Sequence, residues 1–369
     1  MKLPVSARYF SFTKDEQDVV TAMVDIYKHR LYDINPQKYG KYASSAQGKS
    51  YEEKVKLFNE ALIKEAVKRS GIQLPSYSAD VVVRHTAVRE MMFDLISEAL
   101  TIIFPNTVLD QFSQFAEVRN VGWGDNLKFT VPNNALFVVS RMGNGVRRGT
   151  PQRLYNSEVI LTPETHEVTI QEDLYRLLSG KVDWADWISR AALSLQTDIT
   201  TMIYKQFYNS INNLNASFKA AAFDTTDFVE LAQRVSAANG GARTTVWGTQ
   251  LALSKVIPDA DFKKYPYVGA GEEYLRNGFL GNYMGTDLFM IDQRIIPNDP
   301  DYNFAINDDV LYFVTMATDK PVKVGFEGSA TVFDANPRES ADLTQNYTIQ
   351  MRYDAIIATS SKYGAMIVG

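Results

Sequence analysis

The sequence predicts an α+β protein, and three observations carry that prediction. A long β-excursion with a glycine-rich basic tip occupies the middle of the chain. One long amphipathic helix follows it directly. From Asp287 onward the chain breaks into short strands separated by Asn, Asp and Pro turns. The outgoing arm of the excursion is Leu127–Val131 and then Ala135–Val139. The tip is Arg141–Gly149, and the arm returns through Ser157–Pro163 and Glu167–Ile170. A two-stranded excursion has little core of its own and is marginal alone in water, so it is expected to lie on a neighbouring subunit.

Three helices are predicted ahead of the hairpin. The first runs near Lys14–Leu31, where Thr13 and Glu16 have capping-box spacing. The second runs near Tyr51–Arg69 and ends at Gly71, a C-terminal glycine signal. The third runs near Ala79–Ile103 on a stripe of Val83, Ala87, Met91, Leu95, Ala99 and Ile103, and is expected to stop before Pro105. Asn35–Gly48, rich in Lys, Tyr, Ser and Gly, reads as an exposed connection. Behind the hairpin, Asp183 offers an N-cap carboxylate. Trp184, Ile188, Ala191, Leu195, Ile199 and Met202 then recur at steps of four and three, one apolar stripe on a 3.6-residue helix. That helix ends near Asn212, and at a rise of about 1.5 Å per residue it is a strut of roughly 45 Å. Asn212–Thr226 reads as a linker, Thr226–Ala238 as a helix, Thr244–Trp247 as a strand, Gln250–Val256 as a helix and Pro258–Gly271 as a loop.

Composition bounds the function without fixing it. A chain of 369 residues is long enough for two or three modules with their own cores. A net charge of -5 argues against a dedicated nucleic-acid binder. Residues 1–75 carry 13 Lys and Arg against 9 Asp and Glu, leaving the rest near -9; a solvated helix face accounts for this asymmetry. The absence of cysteine excludes disulfides and thiolate chemistry. No apolar run approaches the roughly 20 residues needed to span a bilayer, and Met1–Ser6 has no signal-peptide core. Synthesis in a cytoplasm is expected, with no membrane partner.

Local motifs for catalysis fail on context. Ala43–Ser50 satisfies a relaxed phosphate-loop pattern, but Pro36–Tyr42 before it is no buried strand, and Ser50 with Glu53 makes a capping box instead. Gly269-Ala270-Gly271 lacks the third glycine of a dinucleotide fingerprint. His29, His85 and His166 are far apart and match no metal-ligand spacing. Asp299, Asp301 and Asn303 alternate like calcium ligands, yet Phe304 stands where an EF-hand needs glycine; a turn explains them better. No cofactor or metal is expected.

The order of the segments resembles a known family. The hairpin, then "EVILTPETHEVTIQEDLYRLLS" and a helix holding "LQTDITTMIY", is similar to the major capsid proteins of tailed bacteriophages, the Hong Kong 97 fold. "YLRNGFLGNYMGTDLFMIDQ" resembles that family's passage from an axial-domain helix to a strand, and "YTIQMRYDAIIATSSKYGAMIV" its closing strands. The resemblance spans Gly122–Gly369 and leaves the N-terminal region unmatched. It implies an N-terminal helical arm region at 1–122, the E-loop hairpin at 123–175, and the spine helix of the peripheral domain at 176–222. An axial domain at 223–319 and closing peripheral strands at 320–369 complete it. It implies a non-enzymatic shell subunit, self-assembling as hexamers and pentamers into an icosahedral capsid around double-stranded DNA. Portal, scaffold and decoration proteins would be partners, and contact with the packaged DNA would be non-specific. The chain would end in the virion after synthesis in the host bacterial cytoplasm.

Within that frame Arg141, Asn144, Arg147 and Arg148 are the candidate contact residues at the hairpin tip. Guanidiniums there can bind a neighbour's carboxylates bidentately; equally, they can keep an exposed ribbon soluble. Some members of the family crosslink a hairpin lysine to a neighbour's asparagine; here no lysine occurs between Lys128 and Lys181, so no such bond is expected. Trp184, Trp187, Ile188, Leu195 and Ile199 are the candidate packing face of the spine helix, against Ile349, Met351, Ala355 and Ile357. The hairpin and the N-terminal region are both expected to be given to neighbours, and the N-terminus to be retained in the mature particle. Two rivals stand: an encapsulin-like nanocompartment shell, and a soluble enzyme whose carboxylates gather only in the fold.

Overall fold

The computed structural model describes residues 8–37, 39–73, 80–112, 116–133, 137, 139, 151–173, 184–258, 270–315, 319–334 and 344–368. Helix α1 (Lys14–Ile34) starts at a closed capping box: the Thr13 amide donates to Glu16 Oε2 at 2.6 Å, and the Glu16 amide donates back to Thr13 Oγ1. Helix α2 (Tyr51–Ser70) repeats the device with Ser50 and Glu53 and ends on Gly71 at φ 72°, the left-handed cap that glycine takes at no steric cost.

The third expected helix is two. α3 (Asp80–Arg84) ends at His85, and α4 (Thr86–Phe112) continues through Pro105 instead of stopping before it. A proline removes one intrahelical hydrogen bond but does not end a helix that stays packed. Here the buried face runs through Leu95, Ala99, Leu100, Ile102 and Ile103.

Strand β1 (Ala116–Val121) leads to the hairpin strands β2 (Leu127–Val131) and β3 (Ser157–Leu161), then to β4 (Glu164–Asp173) and the spine helix α5 (Trp184–Ser210). At 27 residues α5 is about 40 Å long. The later elements are β5 (Lys219–Ala220), α6 (Thr225–Ala238), β6 (Thr244–Thr249), α7 (Gln250–Leu253), α8 (Ala270–Asn277), β7 (Asn282–Tyr283) and β8 (Thr286–Ile291). They are followed by β9 (Val310–Thr315), β10 (Val322–Asp334), β11 (Thr344–Ile357) and β12 (Gly364–Ile367). The linker expected at Asn212–Thr226 contains β5, and Ala270 and Gly271 open α8 rather than close a loop; 259–269 lie outside the described residues.

Two larger sheets take all the described strands except β2 and β3, which pair with each other. The four-stranded sheet has the order β1-β10-β11-β4, and the six-stranded sheet has β5-β12-β9-β6-β8-β7. The closing strands therefore part company. β10 and β11 pair in the first sheet, while β12, expected with them, pairs β9 and β5 in the second. β12 is a short, buried run (Gly364, Ala365 and Met366), and the turn at Ser360–Ser361 bonded to Asp319 redirects the chain toward it.

Strand β9 lies between two cores. Leu311 and Phe313 face a core with Phe228, Leu231 and Val235 of α6, while Val310, Tyr312 and Val314 face the core that holds the spine helix. A strand covered on both faces reads as a continuous apolar run, which Val-Leu-Tyr-Phe-Val is. Phe207 near the end of α5 meets Tyr312 at 5.4 Å and Tyr363 at 5.8 Å, so the helix bridges both sheets.

The N-terminal helices correct an expectation. They are not extended toward a neighbour but form a layer on their own subunit. α1, α2 and α4 share one buried core with α5, β10 and β11. The Tyr27 hydroxyl donates to Gln196 Oε1 of α5 at 3.1 Å inside it, and Arg30 pairs with Asp186. β1 is also an integral strand, parallel to β10.

Candidate assembly element: the hairpin root

The hairpin is rooted on its own subunit, which corrects the expectation that it lacks an intrachain seat. β2 and β3 pair antiparallel, Leu127 opposite Leu161 and Phe129 opposite Val159. β2 alternates buried and exposed, and Leu127, Phe129 and Leu161 form a small separate core with Val121 and Ile356 against them. Gly325 of β10 makes room for it. A Cβ there would stand 2.5 Å from Leu127 Cδ1 and 2.8 Å from Leu161 Cδ2. Arg119 lies over the Phe129 ring at 4.9 Å and donates to the Lys128 carbonyl.

Both flanks of the ribbon are tied to one ion pair. Glu327, buried on β10, accepts from Arg352 Nη1 of β11 at 2.9 Å and from the Gly124 amide on the outgoing flank at 2.9 Å. Arg352 Nη2 donates at 2.8 Å to the Pro163 carbonyl on the returning flank. Trp123 covers Gly328, at φ 72°, where a Cβ would enter the indole. A register shift between Glu327 and Thr331 marks the same place as a bulge.

Beside the root, Lys323 is fully buried between Glu117 Oε2 at 2.8 Å and Asp319 Oδ1 at 2.7 Å. Burial alone would raise the Asp319 carboxyl; the Lys323 ammonium, the Ser360 amide and the Thr359 hydroxyl outweigh it and hold it below its usual range. Glu117 is likewise lowered, burial being outweighed by Lys323 and Arg119. Farther along the returning strand, His166 Nδ1 lies 3.0 Å from Asp198 Oδ2 of α5 and stacks on Tyr353 at 4.0 Å. The Tyr353 hydroxyl donates to the same carboxylate at 2.7 Å. The bond to His166 is the largest influence holding Asp198 low, and burial pushes the Tyr353 hydroxyl up.

Of the residues singled out in the sequence, Arg141, Asn144, Arg147 and Arg148 lie outside the described residues, as does the Asp183 cap. Trp184, Trp187, Ile188, Leu195 and Ile199 are all buried in the main core with Ile349, Met351 and Ala355. Trp184 and Trp187 meet each other edge-on at 5.9 Å, and each meets Tyr347 at 5.7 Å.

Gly40–Ala46 is a 3-10 turn, so the phosphate-loop pattern has no strand before it. Asp299 accepts from the amides of Asp301 and Asn303, a turn cap. Among the described residues no group of three metal-capable side chains converges, and no helix is long and apolar enough to cross a membrane. Gly325, Glu327, Arg352, Lys323 and the His166–Asp198 pair were not singled out in the sequence. Their partners lie up to 206 residues away, and no local spacing signals them.

A hairpin rooted on a sheet, a spine helix behind it and a second sheet beyond are the parts of a phage capsid subunit. The capsid of a native GTA particle matches with a TM-score of 0.51 at 12% identity, covering 70% of this chain and 90% of that one. The mature capsid of bacteriophage PhiM1 matches at 0.47 and 8% identity, covering 70% and 86%. The virus-like particle from Pyrococcus furiosus matches at 0.40 and 11%, covering 73% and 98%. The fold is the Hong Kong 97-like capsid fold. A family model described as "SPbeta prophage-derived putative capsid protein YonB" matches residues 36–367, and the chain belongs to that family. The search among curated proteins gives no match.

Proposed function

We propose that the protein is the major capsid subunit of a tailed phage or prophage, assembling as hexamers and pentamers into an icosahedral shell around double-stranded DNA. The observation that carries this reading is the capsid family match over 36–367 on a chain with a rooted hairpin and spine helix. Its work is mechanical: each subunit supplies surface that is buried only between copies, and no catalytic step is assigned. The peripheral domain comprises the four-stranded sheet, α5 and the N-terminal helical layer. The axial domain comprises 223–319 together with β5 and β12. The distal hairpin, with Arg141, Asn144, Arg147 and Arg148 at its tip, reaches a neighbouring subunit's carboxylates. Portal, scaffold and decoration proteins are partners in the virion, the packaged DNA is touched without sequence preference, and synthesis takes place in the bacterial cytoplasm.

Native mass spectrometry of the assembling protein tests this. Hexamers and pentamers on the way to large particles support it; a subunit that stays monomeric at every concentration and salt overturns it. Particles carrying a cargo enzyme instead of DNA would move the reading to a nanocompartment shell.

A further inference from the structure

The N-terminal layer precedes the Gly122–Gly369 stretch that resembles the capsid fold, and that resemblance gives it no role. The layer carries an open groove of about 730 Å³ between α1 and α2. The two helices run antiparallel. Asp15 at the start of α1 pairs with Lys68 near the end of α2 at 2.7 Å, and Asp25 pairs with Lys54 near the start of α2 at 2.8 Å. Val19, Ala22 and Ile26 supply one wall at helical spacing, and Leu57, Phe58 and Ala61 supply the other. From Asp15 to Ile26 the groove is about 17 Å long at the helical rise.

Its floor is apolar and its shape is uneven. Val19, Ile26 and Phe58 are buried, whereas Leu57 is 47% exposed and Ala22 on the facing wall is exposed too. A projecting leucine and a small alanine across from it are a knob and a hole, the features by which helices interlock.

The charges say what fits. At the start of α1 the groove is lined by Asp15, Asp18 and Glu65 against Lys64 and Lys68, a balance of -1. At the start of α2 it is lined by Lys49 and Lys54, and with Asp25 held on Lys54 the balance is +1. Asp18 at one end and Lys49 at the other have no ion-pair partner among the described residues. A groove made for a foreign acidic or basic helix would show one sign of charge. This one is bipolar and sums to zero, the pattern of a surface that meets itself. A two-fold axis makes the same patch serve both partners and reverses its direction, so the acidic end of one copy meets the basic end of the other.

We propose that two copies of this chain pair about a two-fold axis through their α1–α2 grooves. Leu57 of each fills the space beside the other's Ala22, and Asp18 of each faces the other's Lys49. The pairing goes beyond the capsid reading and does not depend on it.

The test is sedimentation of the full chain at concentrations too low for shells. The wild type should dimerise, and Leu57→Glu should raise the dimer Kd at least about tenfold, as when an interface anchor is lost. Asp18→Lys and Lys49→Glu should each raise it about threefold, the scale of an exposed ion pair, and the two together in one chain should restore it. A wild type that stays monomeric, or a Kd indifferent to Leu57→Glu, would overturn the proposal; so would charge reversals whose effects simply add. If shells still form in those cases, the capsid reading stands; dimers that never yield shells would do the reverse. Should Leu57→Glu fail to fold, the natural absence of cysteine supplies a second measurement. Ala22→Cys should react with a maleimide at least about tenfold more slowly in the dimer than in the diluted monomer. Equal labelling, or protection only after a different protein is added, would overturn the pairing.

Discussion

Gly325 sets how closely the hairpin lies on its sheet. Leu127 and Leu161 are both buried, so neither can withdraw from an added methyl. Gly325→Ala should destabilise the unassembled subunit by about 1–3 kcal/mol, read by denaturant unfolding, with faster hydrogen exchange in β2 and β3. An unchanged stability would mean that the ribbon is held by Glu327 and Arg352 alone. Lys323→Met gives a prediction with a sign. Asp319 and Glu117 titrate below their usual values in the folded state, so their contribution is full above the unfolded value near 4 and lost as pH falls through the folded values. The variant should be less stable than wild type by about 3 kcal/mol at pH 7. That gap should narrow as the pH drops below 4 and the carboxylates of the wild type protonate; a gap constant from pH 7 to 3 would contradict the pairing. Residues of this kind could not be read in advance. The Ser50–Glu53 box is visible because its partners are three residues apart, whereas Glu117 and Lys323 meet only after the chain has crossed two sheets.

At the scale of elements, periodicity was a good guide where one face of one element decides the outcome. The Trp184–Met202 stripe gives the spine helix, and Leu195→Ala should cost about 2–5 kcal/mol because the buried site cannot collapse around the loss; calorimetry of the subunit measures it. The same logic fails at Pro105, where α4 runs on through the proline from its buried Leu95–Ile103 face, and at β12, a four-residue strand that lies between β5 and β9 instead of beside β11. It also misjudged the N-terminal helices. An amphipathic stripe tells that a face is buried, not whether the partner is the same chain, and here α1, α2 and α4 cover their own spine helix. The hairpin divides likewise: its root is intramolecular, and its arginine tip is the part we propose reaches a neighbour. Replacing Arg147 and Arg148 with Ala should lower the temperature at which particles come apart and leave subunit unfolding unchanged. A drop in subunit unfolding with none in particle disruption would place the arginines in the subunit's own fold.

At the scale of the whole molecule, two sheets with separate cores are joined through β9 and the far end of α5. Composition gave no hint of this, since a chain of -5 net charge with 45% hydrophobic residues is an ordinary soluble protein by every global measure. The order of hairpin, long helix and closing strands did. The central claim meets its most direct test in electron microscopy of the purified recombinant protein across salt and concentration. The account predicts closed icosahedral shells whose facets resolve into hexamers and pentamers, with each hairpin tip on an adjacent subunit. A homogeneous 41.5 kDa monomer under every condition, with no shells, would contradict it.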